Sequence, residues 1–587
     1  MTDLSSVASV ISVAPDLIQI EVHSPDKYTE LGTDIEIGSY LKISDDNGLS
    51  VVAIVQSYKI KDPGGDPTGM VMQAPKFILD AQPVGRMHDD KFRRGGKQIA
   101  IPPTKIEVAS RDVLQTMYSS IPKSKQFSFG SLVQDPTVKV AVDGDKFFGK
   151  HIGVVGSTGS GKSCTVAKIL QEGMRPSGKQ AESGVLNNSH IIIFDLHGEY
   201  GSAFPNANFI NTDNLHLPYW LMNSEELEEM FIESNENNSH NQVSQFRQAV
   251  IENKIRKAEG TRETISYDSP VHFSLHEVLN YLKNLNTEVI SKLAGENLPK
   301  LSDEQLVQNR ADCYFTQVQQ FVESNNTAAR KASNGPFHGE FNRFIMRLEG
   351  RMNDKRLGFL LNPAKDDNSE YTTTDLTDLL RQFIGYGQKK SNITIIDLSG
   401  IPFEVLSVVV SLMTRLIFTL NFHLKKIKTP DSSDLPFLLV YEEAHNYIPQ
   451  SEGAKYSSVK KSIERIAKEG RKYGISLMIV SQRPSEISET VFSQCNNFVA
   501  MRLTNPSDQR YVKRLLPDTV NAITDTLPTL EKQEAIIIGD SIAVPSLIKV
   551  DEIEQRPDSQ DIEFHSEWKL DWLEFTLAEV VERWQGW

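Results

Sequence analysis

The stretch Gly156 to Ser163, GSTGSGKS, has the spacing Gly-x4-Gly-Lys-Ser of a loop that cradles a triphosphate. Its glycines let backbone N–H groups converge on phosphate oxygens with no side chain in the way. The segment after it, CTVAKILQEGM, reads as a helix whose N-terminus favours negative charge. Lys162 is expected on the β and γ phosphates and the Ser163 hydroxyl on Mg²⁺. The nucleotide-binding set is Gly156, Thr158, Gly159, Ser160, Gly161, Lys162, Ser163, Cys164 and Thr165.

A second stretch, PFLLVYEEAH, ends an apolar run on two carboxylates, Glu442 and Glu443. Glu442 is placed to share the metal with Ser163. It is longer by a methylene than the usual aspartate, so its hold on the metal runs through water. Glu443 is placed to orient and deprotonate the attacking water. In LMIVSQRP another strand ends on Gln482, an amide suited to the γ-phosphate or the water. A base directly after the metal carboxylate implies hydrolysis of ATP rather than simple nucleotide binding. No NKxD-type guanine reader is present. DLSGIP lacks the Gly-Gln of a transporter signature, and a small-metabolite kinase would need neither the length nor the base.

These residues need a sheet to hold them. From residue 150, near-continuous apolar runs alternate with helical stretches, which predicts an α/β fold with many parallel strands covered on both faces. The core is expected over 150–220 and 351–550, interrupted by a polar helical insertion at 221–350. Residues 1–110 alternate apolar and polar positions between turn signals such as DDNG and DPGGDPTG, the pattern of a small β-barrel. A linker at 111–149 follows, and the tail, 551–587, ends in an amphipathic helix.

Composition bounds the rest. The chain has 587 residues, 39% of them hydrophobic, and a net charge of −15. That argues against coating nucleic acid through a globally basic face, although a local basic channel is compatible with it. Three cysteines without a CxxC pair suggest neither zinc nor disulfides and fit a reducing cytoplasm. No signal peptide is read. The longest apolar run, 405–422, carries Arg415 in its middle, which opposes membrane insertion and favours a helix packed on a sheet.

Taken in order, GSTGSGKS, FDLHGEYG, LPYWLMNSEELEEMF, VYEEAHNYIP, AKEGRKYGISLMIVSQRPSEI and GDSIAVPSLIKVDE resemble the bacterial branch of the HerA ATPases, relatives of the FtsK DNA pumps. The resemblance spans about residues 1–570. It implies a RecA-like motor core behind an N-terminal β-barrel, a homohexameric ring with ATP at subunit boundaries, and sequence-independent translocation of double-stranded DNA. The implied partner is a nuclease or a sirtuin-like NADase, in DNA-end processing or defence against phage, with no membrane involved. An alternative is a hexameric scaffold that assembles and licenses the effector. Motif by motif, Lys162, Ser163, Glu442, Glu443 and Gln482 keep the roles given above, and Arg471 matches an arginine acting at the ATP site. Asp195 is expected near the metal or in a turn. Lys150 and His151 stand where an arginine could reach a neighbour's nucleotide. Arg343, Arg347, Arg351, Lys355 and Arg356, or Lys455, Lys460 and Lys461, are candidates for DNA phosphates.

Overall fold

The computed structural model describes residues 3–24, 35–46, 48–61, 76–89, 91–95, 103, 105–175, 186–233, 239–258, 264–387, 390–427, 434–451, 457–515, 521–559, 562–574 and 576–585. The turn DPGGDPTG and Lys455 lie outside them. The chain forms two compact units. The first comprises Met1–Ala207, Leu424–Ser451 and Glu464–Ser559. The second comprises Asn208–His423, Glu452–Ile463 and Gln560–Trp587.

In the first unit the N-terminal residues build an antiparallel sheet. Its order is Ala8–Val13, Ile18–Val22, Lys76–His88, Ser50–Lys61, Tyr40–Ser44, Lys105–Val108, with Lys91–Arg94 paired to Lys76–His88. Ile18, Ile20 and Val22 point one way into a core with Leu41, Ile43, Val51 and Leu79, as a period of two requires. Two register shifts in the long central pair, between Val52 and Ala53 and between Val55 and Ser57, bend the sheet. The expected barrel is present only as this curled half-barrel. The segment before Ala8–Val13 reaches the opposite edge strand Lys105–Val108 through an isolated bridge, Asp3 to Glu107, and a hydrogen bond from Leu4 N to Ile106 O at 2.8 Å.

The motor sheet of this unit runs His190–Asp195, Phe437–Tyr441, Ile475–Ser481, His151–Val155, Cys495–Met501, Glu534–Gly539, Ser546–Val550, Gly130–Leu132. Neighbours are parallel as far as Cys495–Met501. Beyond it they are antiparallel. Every residue of His151–Val155, Phe437–Tyr441 and Ile475–Ser481 is buried, as for strands covered on both faces. Their carboxyl ends lie together, so the phosphate loop, the acidic pair and Gln482 leave the sheet at one edge.

The second unit is mostly helical. Its strands Asn208–Ile210 and Ile393–Asp397 pair in parallel, and Val289–Ser291 with Ala332–Asn334 forms a small ribbon. Helices include Ser224–Phe231, Ser239–Lys257, Leu275–Thr287, Asn342–Met352 and Phe403–Ile427. The last is the one helix among the described residues long and apolar enough to cross a membrane, and 72% of its apolar window is buried in the protein. Arg415 on it pairs with Glu226, whose oxygens sit 3.1 Å from Nε and 2.8 Å from a terminal nitrogen. The tail carries the helix Leu577–Gln585, on which Leu577, Val580, Val581 and Trp584 are exposed.

Candidate functional site

The phosphate loop links His151–Val155 to the helix Lys162–Gly173. Gly156 has no room for a side chain: a Cβ there would lie 2.6 Å from Ser160 Oγ and 2.9 Å from Met501 Cβ. Gly161 caps the helix at φ +93, a left-handed conformation that glycine adopts without strain. The loop is pinned by hydrogen bonds from Ser157 N to Arg502 O (2.8 Å) and from Gln533 N to Ser160 O (2.9 Å). The N–H groups of Lys162, Ser163 and Cys164 open the helix and have no helical carbonyl to meet, so they remain for an anion. Thr165 turns inward instead, its N–H and hydroxyl both donating to Gly161 O.

Lys162 and Glu443 form a buried ion pair across the site, Nζ to Oε1 at 2.5 Å. Glu443 adopts φ 45 and ψ 46, left-handed for a residue with a Cβ. Such a backbone costs about 1–3 kcal/mol and clusters at functional sites. The peptide N–H of Gln482 lies 3.5 Å from Glu443 Oε2, and Thr158 Oγ1 donates to Gln482 Oε1 at 2.7 Å. The structure therefore brings Thr158, Lys162, Glu443 and Gln482 into one cluster.

Glu442 is 1% exposed. Tyr200 donates its hydroxyl to Oε1 at 3.4 Å, while Oε2 has no partner among the described residues. Burial, then the neighbouring Asp195 and Glu199 carboxylates, push its pKa well above the ordinary value. Glu199 lies against the Ser163 hydroxyl, and its own buried Oε2 is likewise unpartnered. Burial raises the Glu199 pKa as well. Two orphaned carboxylate oxygens beside a hydroxyl at a helix N-terminus fit a hard divalent cation with oxygen ligands. Asp195 has the turn role: its carboxylate accepts the N–H groups of Gly198 (3.0 Å), Glu199 (3.2 Å) and Tyr200 (2.9 Å). That turn carries Glu199 to Ser163. Glu199 stands in FDLHGEYG, where no spacing marks it as a site residue.

Arg471 is not part of this cluster. It precedes Ile475–Ser481, and its guanidinium donates to Gln494 O at 3.1 Å and to the Asn496 side chain. A strand of 7 residues separates it from Gln482, about 20 Å at 3.3 Å per residue. Lys150 pairs with Asp540 at the same far edge, and His151 is buried, its ring bonded to Ala467 O and Leu477 N. Among the candidate DNA contacts, Arg347 donates to Phe231 O and pairs with Glu233, and Arg356 pairs with Asp354. Lys461 pairs with Glu225.

A family model described as the central domain of helicase HerA matches residues 127–417. The DNA double-strand break repair helicase HerA of Sulfolobus acidocaldarius is 27% identical over 554 residues, 93% of this chain and 90% of that one. A probable DNA double-strand break repair helicase HerA of Methanocaldococcus jannaschii is 22% identical over 560 residues, 91% and 94% of the two chains. VirB4 of Thermoanaerobacter pseudethanolicus aligns at a TM-score of 0.43 and 14% identity, over 74% of this chain and 98% of that one. With the phosphate loop, its lysine and the acidic pair assembled at one sheet edge, the chain is a P-loop ATPase whose residues 127–417 match the central domain of the HerA helicases.

Proposed function

We propose that this protein is an ATP-driven translocase of double-stranded DNA that works as a homohexameric ring with a nuclease or NADase effector in the cytoplasm. One observation carries the reading. Lys162, Ser163, Glu442, Glu443 and Gln482 converge at one edge of the motor sheet, while Arg471 sits at the other. A complete site then takes two copies, which a ring supplies.

In that site Lys162 leaves Glu443 for the β and γ phosphates, and the freed carboxylate orients the water and takes its proton. Gln482 leaves Thr158 to contact the γ-phosphate. Ser163, Glu442 and Glu199 would hold Mg²⁺, which would offset the charge of the phosphates. Arg471 of a neighbouring copy stabilises the charge spread over the transferred group.

The test is ATP turnover with and without linear duplex at several salt concentrations, for wild type and Glu443→Gln. Stimulation by duplex that fades with salt, and a loss of about 10²–10⁴-fold in Glu443→Gln, are expected. Turnover indifferent to DNA, with the effector tightly bound, selects the scaffold reading. The net charge of −15 and the exposed Trp568, Trp572 and Trp584 of the tail favour that second reading.

A further inference from the structure

His445 follows the acidic pair by two residues, and its side chain is 10% exposed. Its Nδ1 lies 3.3 Å from Glu443 Oε2 and 3.1 Å from Ser481 Oγ. Ser481 Oγ in turn accepts the N–H of Arg483 at 2.9 Å, beside Gln482. A lone pair on Nδ1 facing the Glu443 carboxylate would be repulsive, so the tautomer that fits carries its proton on Nδ1. Burial lowers the His445 pKa, which keeps the ring neutral near pH 7. Glu443 therefore has separate contacts on its two oxygens: Lys162 on Oε1, His445 and the Gln482 N–H on Oε2.

The asymmetry matters once nucleotide binds. Lys162 is the group that phosphate oxygens attract, so its contact with Oε1 is the one that is lost. Oε1 then faces the water, and the contacts on Oε2 decide where it points. A carboxylate on a left-handed backbone with nothing on Oε2 would be free to rotate, and a misplacement of about 1 Å can cost about 10²-fold in rate.

We propose that His445 is a positioning residue for the hydrolytic step, holding Glu443 through Oε2 after Lys162 has transferred to the phosphates. The proposal rests on the assignment of Glu443 as the base. It concerns the chemical step, so it separates kcat from nucleotide affinity.

The experiment compares wild type, His445→Leu and His445→Asn, each alone and in Glu443→Gln, measuring kcat, KM, nucleotide affinity and melting temperature. His445→Leu keeps bulk and removes the donor; His445→Asn restores an N–H near Nδ1. The expected result is a loss of tenfold or more in kcat for His445→Leu with affinity within twofold, substantial recovery in His445→Asn, and no further loss in the Glu443→Gln background. Unchanged kcat in His445→Leu overturns the proposal. So does an equal loss with and without Glu443, or a fall in affinity and melting temperature that asparagine fails to restore. If Glu443→Gln alone retains full turnover, the assignment of the base fails, which is a separate result from a silent His445→Leu.

Discussion

Glu442 carries its carboxylate where water cannot reach it, with one oxygen unpartnered and two other acids nearby. Its pKa is raised from 4.5, so the folded chain holds this proton more tightly than the unfolded chain does. The folded state then gains relative stability at low pH and loses it as pH rises from the unfolded value through the raised folded one. Without metal or nucleotide, wild type should lose melting temperature as pH rises from the ordinary carboxylate value of 4.5 through the raised folded one, while Glu442→Gln should be flatter and melt higher at the alkaline end. Adding Mg²⁺ with ADP should raise wild type more than the variant. Parallel melting profiles for the two proteins would show that Glu442 is not the titrating group. Lys162, Ser163 and the Glu442–Glu443 pair stand out as candidates because the residues that suggest their chemistry are adjacent letters. Glu199 and Gln533 do not, because each reaches the site from a turn whose path no local spacing records; His445 stands two letters from Glu443, but nothing in the letters shows its ring turned back onto that carboxylate.

At the level of elements, buried runs were legible and their direction was not. EAIIIGD reads like the strands before it, yet Glu534–Gly539 pairs antiparallel with Cys495–Met501. An apolar run reports burial on both faces, which strands of either direction satisfy. The half-barrel teaches the same point: alternation forecast the strands, while closure depended on strand length and register. The helix Phe403–Ile427 shows what a charge in an apolar run means. Arg415 was legible as an obstacle to a membrane; its partner Glu226 lies far off in sequence and was not. Glu226 also closes the cap of Ser224–Phe231, accepting the Asn223 N–H at 3.0 Å, and it receives the Ser411 hydroxyl at 2.9 Å. Arg415→Leu strands that carboxylate without a cation and should cost about 3–5 kcal/mol in urea unfolding. Adding Glu226→Gln should recover part of the loss, because the amide still caps the helix without a charge. No loss in Arg415→Leu would mean that water already solvates the pair.

At the level of the whole molecule the decisive fact is a separation. Arg471 and the phosphate loop belong to adjacent strands of one sheet but to opposite ends of them. No side-chain rotation spans about 20 Å, so an arginine there serves this chain's own nucleotide only if the sheet itself unravels. In a closed ring each copy offers the same two faces, and the arginine edge of one can meet the loop edge of the next. Two single variants turn this into a measurement. Lys162→Ala destroys a copy's own phosphate site and leaves its Arg471 intact; Arg471→Ala does the reverse. Each alone should form rings with little turnover. Co-expressed in equal amounts, about one quarter of the interfaces would join an intact loop to an intact arginine from the other variant. Turnover should reappear in the mixed rings and be absent when the variants are purified separately and assayed together without subunit exchange. If mixed rings stay as inactive as either parent while retaining nucleotide, Arg471 does not act across the interface. Its bonds to Gln494 and Asn496 would then be its whole contribution, tying the start of Cys495–Met501 to the turn that precedes Ile475–Ser481.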